Sequence, residues 1–304
     1  MIMKKRPVIA AASALSLSCL TYELYRYVFR RGGSPLLNPI LDSKGHERDF
    51  YVHRDSAAAR LRSLPQEQLE IRSVRGETLR GFYFPGAGGG KRIAFLVHGY
   101  RSDHADAAGM YYDYYRSRGF DLFCCDNTAA GESGGRAIGF DLYESEDCLN
   151  WLSYLRRRFG DDVQIILHGF SMGGATVLQM SGRCPENVRF IVADSAYMDA
   201  SALLKTKLGP LYSLMRSLNR LIEGYDLADT DVRASLQAAH VPILFVHGLE
   251  DRTVPPAHGE RLYALYPGEK DCLFIREARH VENMHTDPEA YEAKLDRFID
   301  KYVV

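Results

Sequence analysis

From Leu69 onward, short runs of apolar and β-branched residues are divided by glycine-rich turns and by longer stretches with helical spacing. The runs Leu69–Val74, Leu79–Phe84, Ile93–Val97, Asp121–Cys125, Val163–Leu167, Phe190–Ala193, Ile243–Val246 and Cys272–Ile275 predict eight strands. The later ones are continuously apolar, as strands buried on both faces of a parallel sheet must be. Asp141–Arg158 reads as a helix. So does Asp287–Tyr302, with Asp287 as N-cap, Pro288 at the first helical position and Tyr291, Leu295, Phe298, Ile299 and Tyr302 on one face. Alternation of this kind predicts a doubly wound, mostly parallel eight-stranded α/β sheet. Between Ser195 and His240 the chain is longer than a simple crossover. Ala200–Leu208 and Leu211–Ile222 read there as two helices, either a small lid spanning about 196–240 or a pair packed on the sheet edge.

Ahead of this domain the pattern changes. Lys4, Lys5 and Arg6 precede an uncharged stretch from Pro7 to Tyr22, which Tyr25, Tyr27, Val28 and Phe29 extend past Glu23 and Arg26 to Arg30 and Arg31. Residues 1–31 are therefore expected to form a hydrophobic segment, a single membrane anchor of undefined orientation, dispensable for activity. The alternatives are an amphipathic helix packed on the domain or a cleaved signal, for which Ser16-Leu17-Ser18 is a weak site; with these the protein would be cytoplasmic or secreted. Residues 32–68 read as a linker and extension with a short helix near Ser56–Ser63 and no evident chemistry, and 69–304 as the main α/β domain.

Composition narrows the functions. The 304 residues carry a formal charge of −1, with 46% hydrophobic and 25% charged residues. That is a globular composition without the positive field that would hold nucleic acid. Six cysteines without a CxxC pair suggest free thiols rather than a zinc ribbon or a disulfide framework.

In a doubly wound sheet, ligands sit at the carboxyl ends of the strands. The pattern G-x-S-x-G occurs twice, at Gly131–Gly135 and Gly169–Gly173, so context must choose. A nucleophile elbow needs a strand leading directly into the serine and a helix leading directly out. Ser171 meets both conditions, whereas Ser133 lies in a loop well past its strand. A serine also needs a base oriented by an acid, in the chain order Ser, acid, His. Asp251, in the turn after the penultimate strand, and His280, after the last, fit that order; Asp194 and Glu250 are rival acids. His285 is a rival base, but it sits close to the start of the final helix and should be carried past the site. Glu282 between the two histidines gives a poor metal set. The backbone N–H groups of Met172 and Tyr100 are the candidate oxyanion donors, and His98 reads as a structural residue.

Ser171, Asp251, His280 and the His98-Gly99 pair together resemble the α/β-hydrolase superfamily. The stretch Ile166–Val177 resembles bacterial hydrolases of the serine-aminopeptidase and prolyl-oligopeptidase-like type, often with an N-terminal hydrophobic segment. The resemblance covers about Leu69 to Val304. It implies a serine hydrolase that cleaves a carboxylic ester through an acyl-enzyme, with a small ester or acyl substrate and no metal or organic cofactor. A peptidase for small peptides and a non-catalytic, membrane-tethered binding protein are the alternatives. Two departures lie beside the expected site. Asn127–Ser133 replaces the usual Arg-Gly-His-Gly stretch, and Val281 follows the histidine where glycine is usual.

Overall fold

The computed structural model describes residues 18–41, 49–87 and 89–304. All eight expected strands form: β1 (Glu67–Arg72), β2 (Thr78–Phe84), β3 (Arg92–Val97), β4 (Asp121–Cys125), β5 (Gln164–Phe170), β6 (Val188–Asp194), β7 (Ile243–Gly248) and β8 (Lys270–Ile275). They build one sheet in the order β1-β2-β4-β3-β5-β6-β7-β8. β2 runs antiparallel to β1 and β4, and the remaining pairs are parallel. β3 shows why the runs are continuously apolar: Ile93, Phe95 and Val97 enter one core while Ala94 and Leu96 enter the core on the other face. At the sheet edge only Leu69 of β1 is buried.

The helices are α1 (residues 18–29), α2 (Asn38–Leu41), α3 (Asp49–Ser63), α4 (His104–Ala108), α5 (Tyr112–Ser117), α6 (Leu142–Phe159) and α7 (Met172–Gln179). There follow α8 (Ala200–Leu208), α9 (Tyr212–Glu223), α10 (Arg233–Gln237), α11 (Ala257–Leu265), α12 (Asn283–Thr286) and α13 (Pro288–Tyr302). One core is closed by side chains of α1, α6, α7, α8, α9, α10 and α11, the other by α3, α4, α5 and α13. α6 starts where the Glu144 side chain reaches back to accept the Asp141 N–H at 3.0 Å. α13 has the expected Asp287 cap, its Oδ1 accepting from Ala290 N–H at 3.0 Å.

The described part of the N-terminal segment packs on the domain, which departs from an anchor extending to Arg31. Met1 to Leu17, on which most of the supposed anchor falls, lie outside the described residues, as does 42–48 of the linker. Residues 18–31 belong to the domain: Tyr25, Val28 and Phe29 are buried in its main core. The reason is amphipathicity. Leu20 and Tyr22 face outward, whereas the Tyr25 hydroxyl donates to Glu223 at 2.6 Å and Arg30 pairs with the same carboxylate at 2.7 Å. Beyond α1 the chain pairs with the loop after β4, through Ile138 N–H to the Phe29 carbonyl and Arg31 N–H to the Arg136 carbonyl, 2.9 Å each. Among the described residues no helix is long and apolar enough to cross a membrane. In the extension the expected helix near Ser56–Ser63 forms and starts earlier: α3 begins at Asp49, packs on α4, and buries Phe50, Ala58 and Leu61.

Candidate active site

β5 runs straight into Ser171, which adopts φ 54° and ψ −114° before α7 begins. Left-handed backbone at a serine costs about 1–3 kcal/mol, and tight packing enforces it here. A Cβ on Gly169 would lie 2.1 Å from the Gly173 carbonyl oxygen, and one on Gly173 would lie 2.1 Å from that of Val97. Both positions therefore exclude any side chain. The Ser171 N–H is held by the Asp194 carbonyl at 2.8 Å.

Asp251 sits in the turn after β7, buried. Its Oδ1 accepts the N–H groups of Thr253 and Val254 at 2.8 Å each, which leaves Oδ2 to accept from His280 Nδ1 at 2.6 Å. Burial opposes ionisation of this carboxyl. Hydrogen bonds from His247 and His280 outweigh it and hold the group well below the usual carboxylate range. A carboxylate only accepts, so Nδ1 of His280 carries the proton and Nε2 is left to accept from Ser171 Oγ at 2.8 Å. Three side chains far apart in sequence thus form one continuous line of hydrogen bonds, with the geometry that activates a serine hydroxyl.

Gly99 lets β3 approach the elbow, its position for a Cβ lying 3.3 Å from Ser171 Cβ. Tyr100 and Met172 both line the cavity that Ser171 lines. Met172 opens α7, so its N–H belongs to the first turn, where donors have no partner within the helix. His98 is wholly buried and burial lowers its pKa; its Nε2 accepts from Asn127 N–H at 2.9 Å. That bond pins the loop that departs from the family pattern.

The rivals are otherwise engaged. Ser133 accepts from Arg80 N–H at 2.9 Å and donates to the Asp126 carbonyl at 2.6 Å, tying the loop to β2. Asp194 accepts from Tyr291, Ser195 and Asn283; burial raises its pKa against these donors. Glu250 is exposed. His285 turns to α3, 3.3 Å from His53 and 3.4 Å from Asp49, so it does not form a metal set with His280 and Glu282.

Three cavities meet near Ser171. An apolar one of about 570 Å³ runs between α1 and α8, walled by Leu24, Tyr27, Phe140, Leu203, Leu204 and Leu208. α8 thus supplies one wall of the cavity beside Ser171. One of about 590 Å³ with a mixed lining is bounded by Arg31, Asn38, Arg101, Asn127 and Ile138 and reaches Met172. A smaller one of about 200 Å³ lies over Ser171 and His280, bounded by Phe50 and Tyr51 of α3. Sequence reasoning missed the contribution of α1 and α3 to these walls. The only available signal was the aromatic content of segments read as anchor and linker.

Fold and site together define a hydrolase of the α/β-hydrolase class. Residues 140–303, more than half of the chain, match the prolyl oligopeptidase family, and the protein belongs to it. The chain is 26% identical over 226 residues to YfhR of Escherichia coli K12, covering 71% of this chain and 74% of YfhR. It is 25% identical over 191 residues to YqkD of Bacillus subtilis, covering 60% of this chain and 63% of YqkD. Among solved structures it superposes on the Pyrococcus furiosus esterase Pf2001 with TM-score 0.64 and 18% identity, over 81% of this chain and 96% of the esterase.

Proposed function

We propose that the protein is a serine hydrolase that cleaves carboxylic esters with an apolar acyl group. The observation that carries this reading is the apolar cavity of about 570 Å³ opening at Ser171, a size and lining suited to a small ligand. Ser171 Oγ attacks the ester carbonyl while His280 Nε2 takes its proton, and Asp251 orients and stabilises the imidazolium. The N–H groups of Met172 and Tyr100 hold the oxyanion. His280 then returns the proton to the departing alcohol, leaving the acyl group on Ser171. Water, deprotonated by the same imidazole, releases the acid. The esterase fold of Pf2001 supports the ester assignment by analogy.

The family match favours a second reading, a peptidase acting on small peptides by the same steps. Turnover of p-nitrophenyl esters from acetate to dodecanoate, beside aminoacyl anilides, separates the two. The ester reading expects kcat/KM to rise with acyl length and the anilides to be poor substrates. Anilide turnover above that of every ester would overturn it. We assign residues 1–17, with the uncharged stretch from Pro7, to holding the enzyme at a membrane. The basic Lys4, Lys5 and Arg6 followed by that uncharged stretch support this. Full-length protein in the soluble fraction would remove that assignment.

A further inference from the structure

Val281, directly after His280, has φ 56°. A β-branched residue avoids this region, so the turn must be held from outside. Its N–H donates to Ser195 Oγ at 3.2 Å, and Ser195 Oγ in turn donates to Asp194 Oδ1 at 2.8 Å. Asn283 Nδ2 donates to the same Asp194 oxygen at 2.7 Å and to Ser195 Oγ at 3.1 Å. The other oxygen of Asp194 accepts from the Tyr291 hydroxyl at 2.7 Å. Because Tyr291 spends its proton there, its oxygen accepts from His168 Nε2 at 3.0 Å, and His168 Nδ1 accepts from Tyr115 at 3.0 Å. Asp194, Ser195, Asn283, His168, Tyr115 and Tyr291 are all fully buried. Asp194 also holds the elbow through its main-chain carbonyl, which accepts the Ser171 N–H at 2.8 Å.

We infer that Asp194, Ser195 and Asn283 are positioning residues that clamp the Val281 turn in its left-handed form and thereby set His280 against Ser171. One residue, Asp194, fixes the nucleophile through its main-chain carbonyl and the base through its carboxylate. The inference rests on reading His280 as the base. None of the three side chains hydrogen-bonds Ser171 Oγ or the His280 ring, so their effect passes through the backbone of residues 280–283.

The test is a double-mutant cycle on the full chain between Asn283→Ala and Val281→Gly, with kcat expressed per site titrated by a fluorophosphonate. Glycine adopts φ 56° without strain, so a turn carrying it needs no clamp. Asn283→Ala is expected to lower kcat by about ten- to a hundredfold beside the native valine, with KM little changed, and by less than about threefold beside Val281→Gly. Ser195→Ala, which removes a single oxygen, gives the same cycle if Asn283→Ala does not fold. Equal losses in both backgrounds, or losses confined to the number of titratable sites, would overturn the inference. His280→Ala run in parallel tests the underlying reading separately: undiminished turnover in that variant would refute His280 as the base whatever the cycle gives.

Discussion

Deletion of residues 1–31 separates the two accounts of the N-terminus. The deletion removes α1 and with it Tyr25, Val28 and Phe29, which are 0%, 5% and 0% exposed. Burying a side chain of this size contributes about 1.5–3 kcal/mol, so the three together represent about 5–9 kcal/mol. A domain is stable by only about 5–15 kcal/mol, so this is from about a third to all of it. Main-chain bonds from Phe29 and Arg31 to the loop after β4 go as well, and Phe140, a cavity wall, loses the ring of Phe29 that packs edge-on at 5.6 Å. A chain starting at residue 32 should therefore be unfolded, or melt about 10–30 °C below one starting at residue 18. Phe29→Ala alone should cost about 3–5 kcal/mol. Calorimetry and circular dichroism melts of the two truncations and the full chain measure this. If the chain from residue 32 melts within about 2 °C of the chain from residue 18 and keeps its KM for a long-chain ester, the packing argument is wrong.

Other substitutions probe separate parts. Ser133→Ala should lower stability by about 1–3 kcal/mol, because Arg80 N–H loses a buried acceptor, while kcat per folded molecule stays unchanged; a dead but stable variant would restore Ser133 as nucleophile. Gly173→Ala should abolish turnover, since its Cβ would press on the Val97 carbonyl, and wild-type kcat would contradict the elbow geometry. Burial raises Glu144 from 4.5 to about 7, so the folded state binds more protons than the unfolded state between those values, and stability falls as pH rises through that window. The group accounts for about 3 kcal/mol of that fall, and Glu144→Gln should flatten the melting temperature between pH 5 and 8; an unchanged slope would refute this.

Much of the site was legible because its chemistry demands particular residues at strand ends. Ser171 could be chosen over Ser133 since only one of the two had a strand entering and a helix leaving, and the bonds made by Ser133 now explain the second serine as a loop tie. Asp251 and Asp194 were harder to separate from sequence, for both end strands. The difference is which imidazole they meet: His280 reaches Asp251, whereas Asp194 is enclosed by Tyr291, Ser195 and Asn283. What sequence hid was the origin of the cavity walls. An uncharged run followed by aromatic residues fits a membrane helix and an amphipathic core helix equally, and α1 took the second course because Glu223 and the loop after β4 offer partners for its polar edge. Val281 was visible as a departure, but its left-handed backbone was not, because nothing in a valine announces positive φ.

The central claim is that Ser171 Oγ is the atom that carries the acyl group. Rapid acid quench during turnover of a p-nitrophenyl decanoate, followed by peptide mass spectrometry, reads this directly. The mass of a decanoyl group is expected on the peptide containing Ser171, accumulating in His280→Ala only at a greatly reduced rate and absent from Ser171→Ala. An adduct on Ser133 or on any cysteine, or turnover with no adduct in Ser171→Ala, would contradict the account.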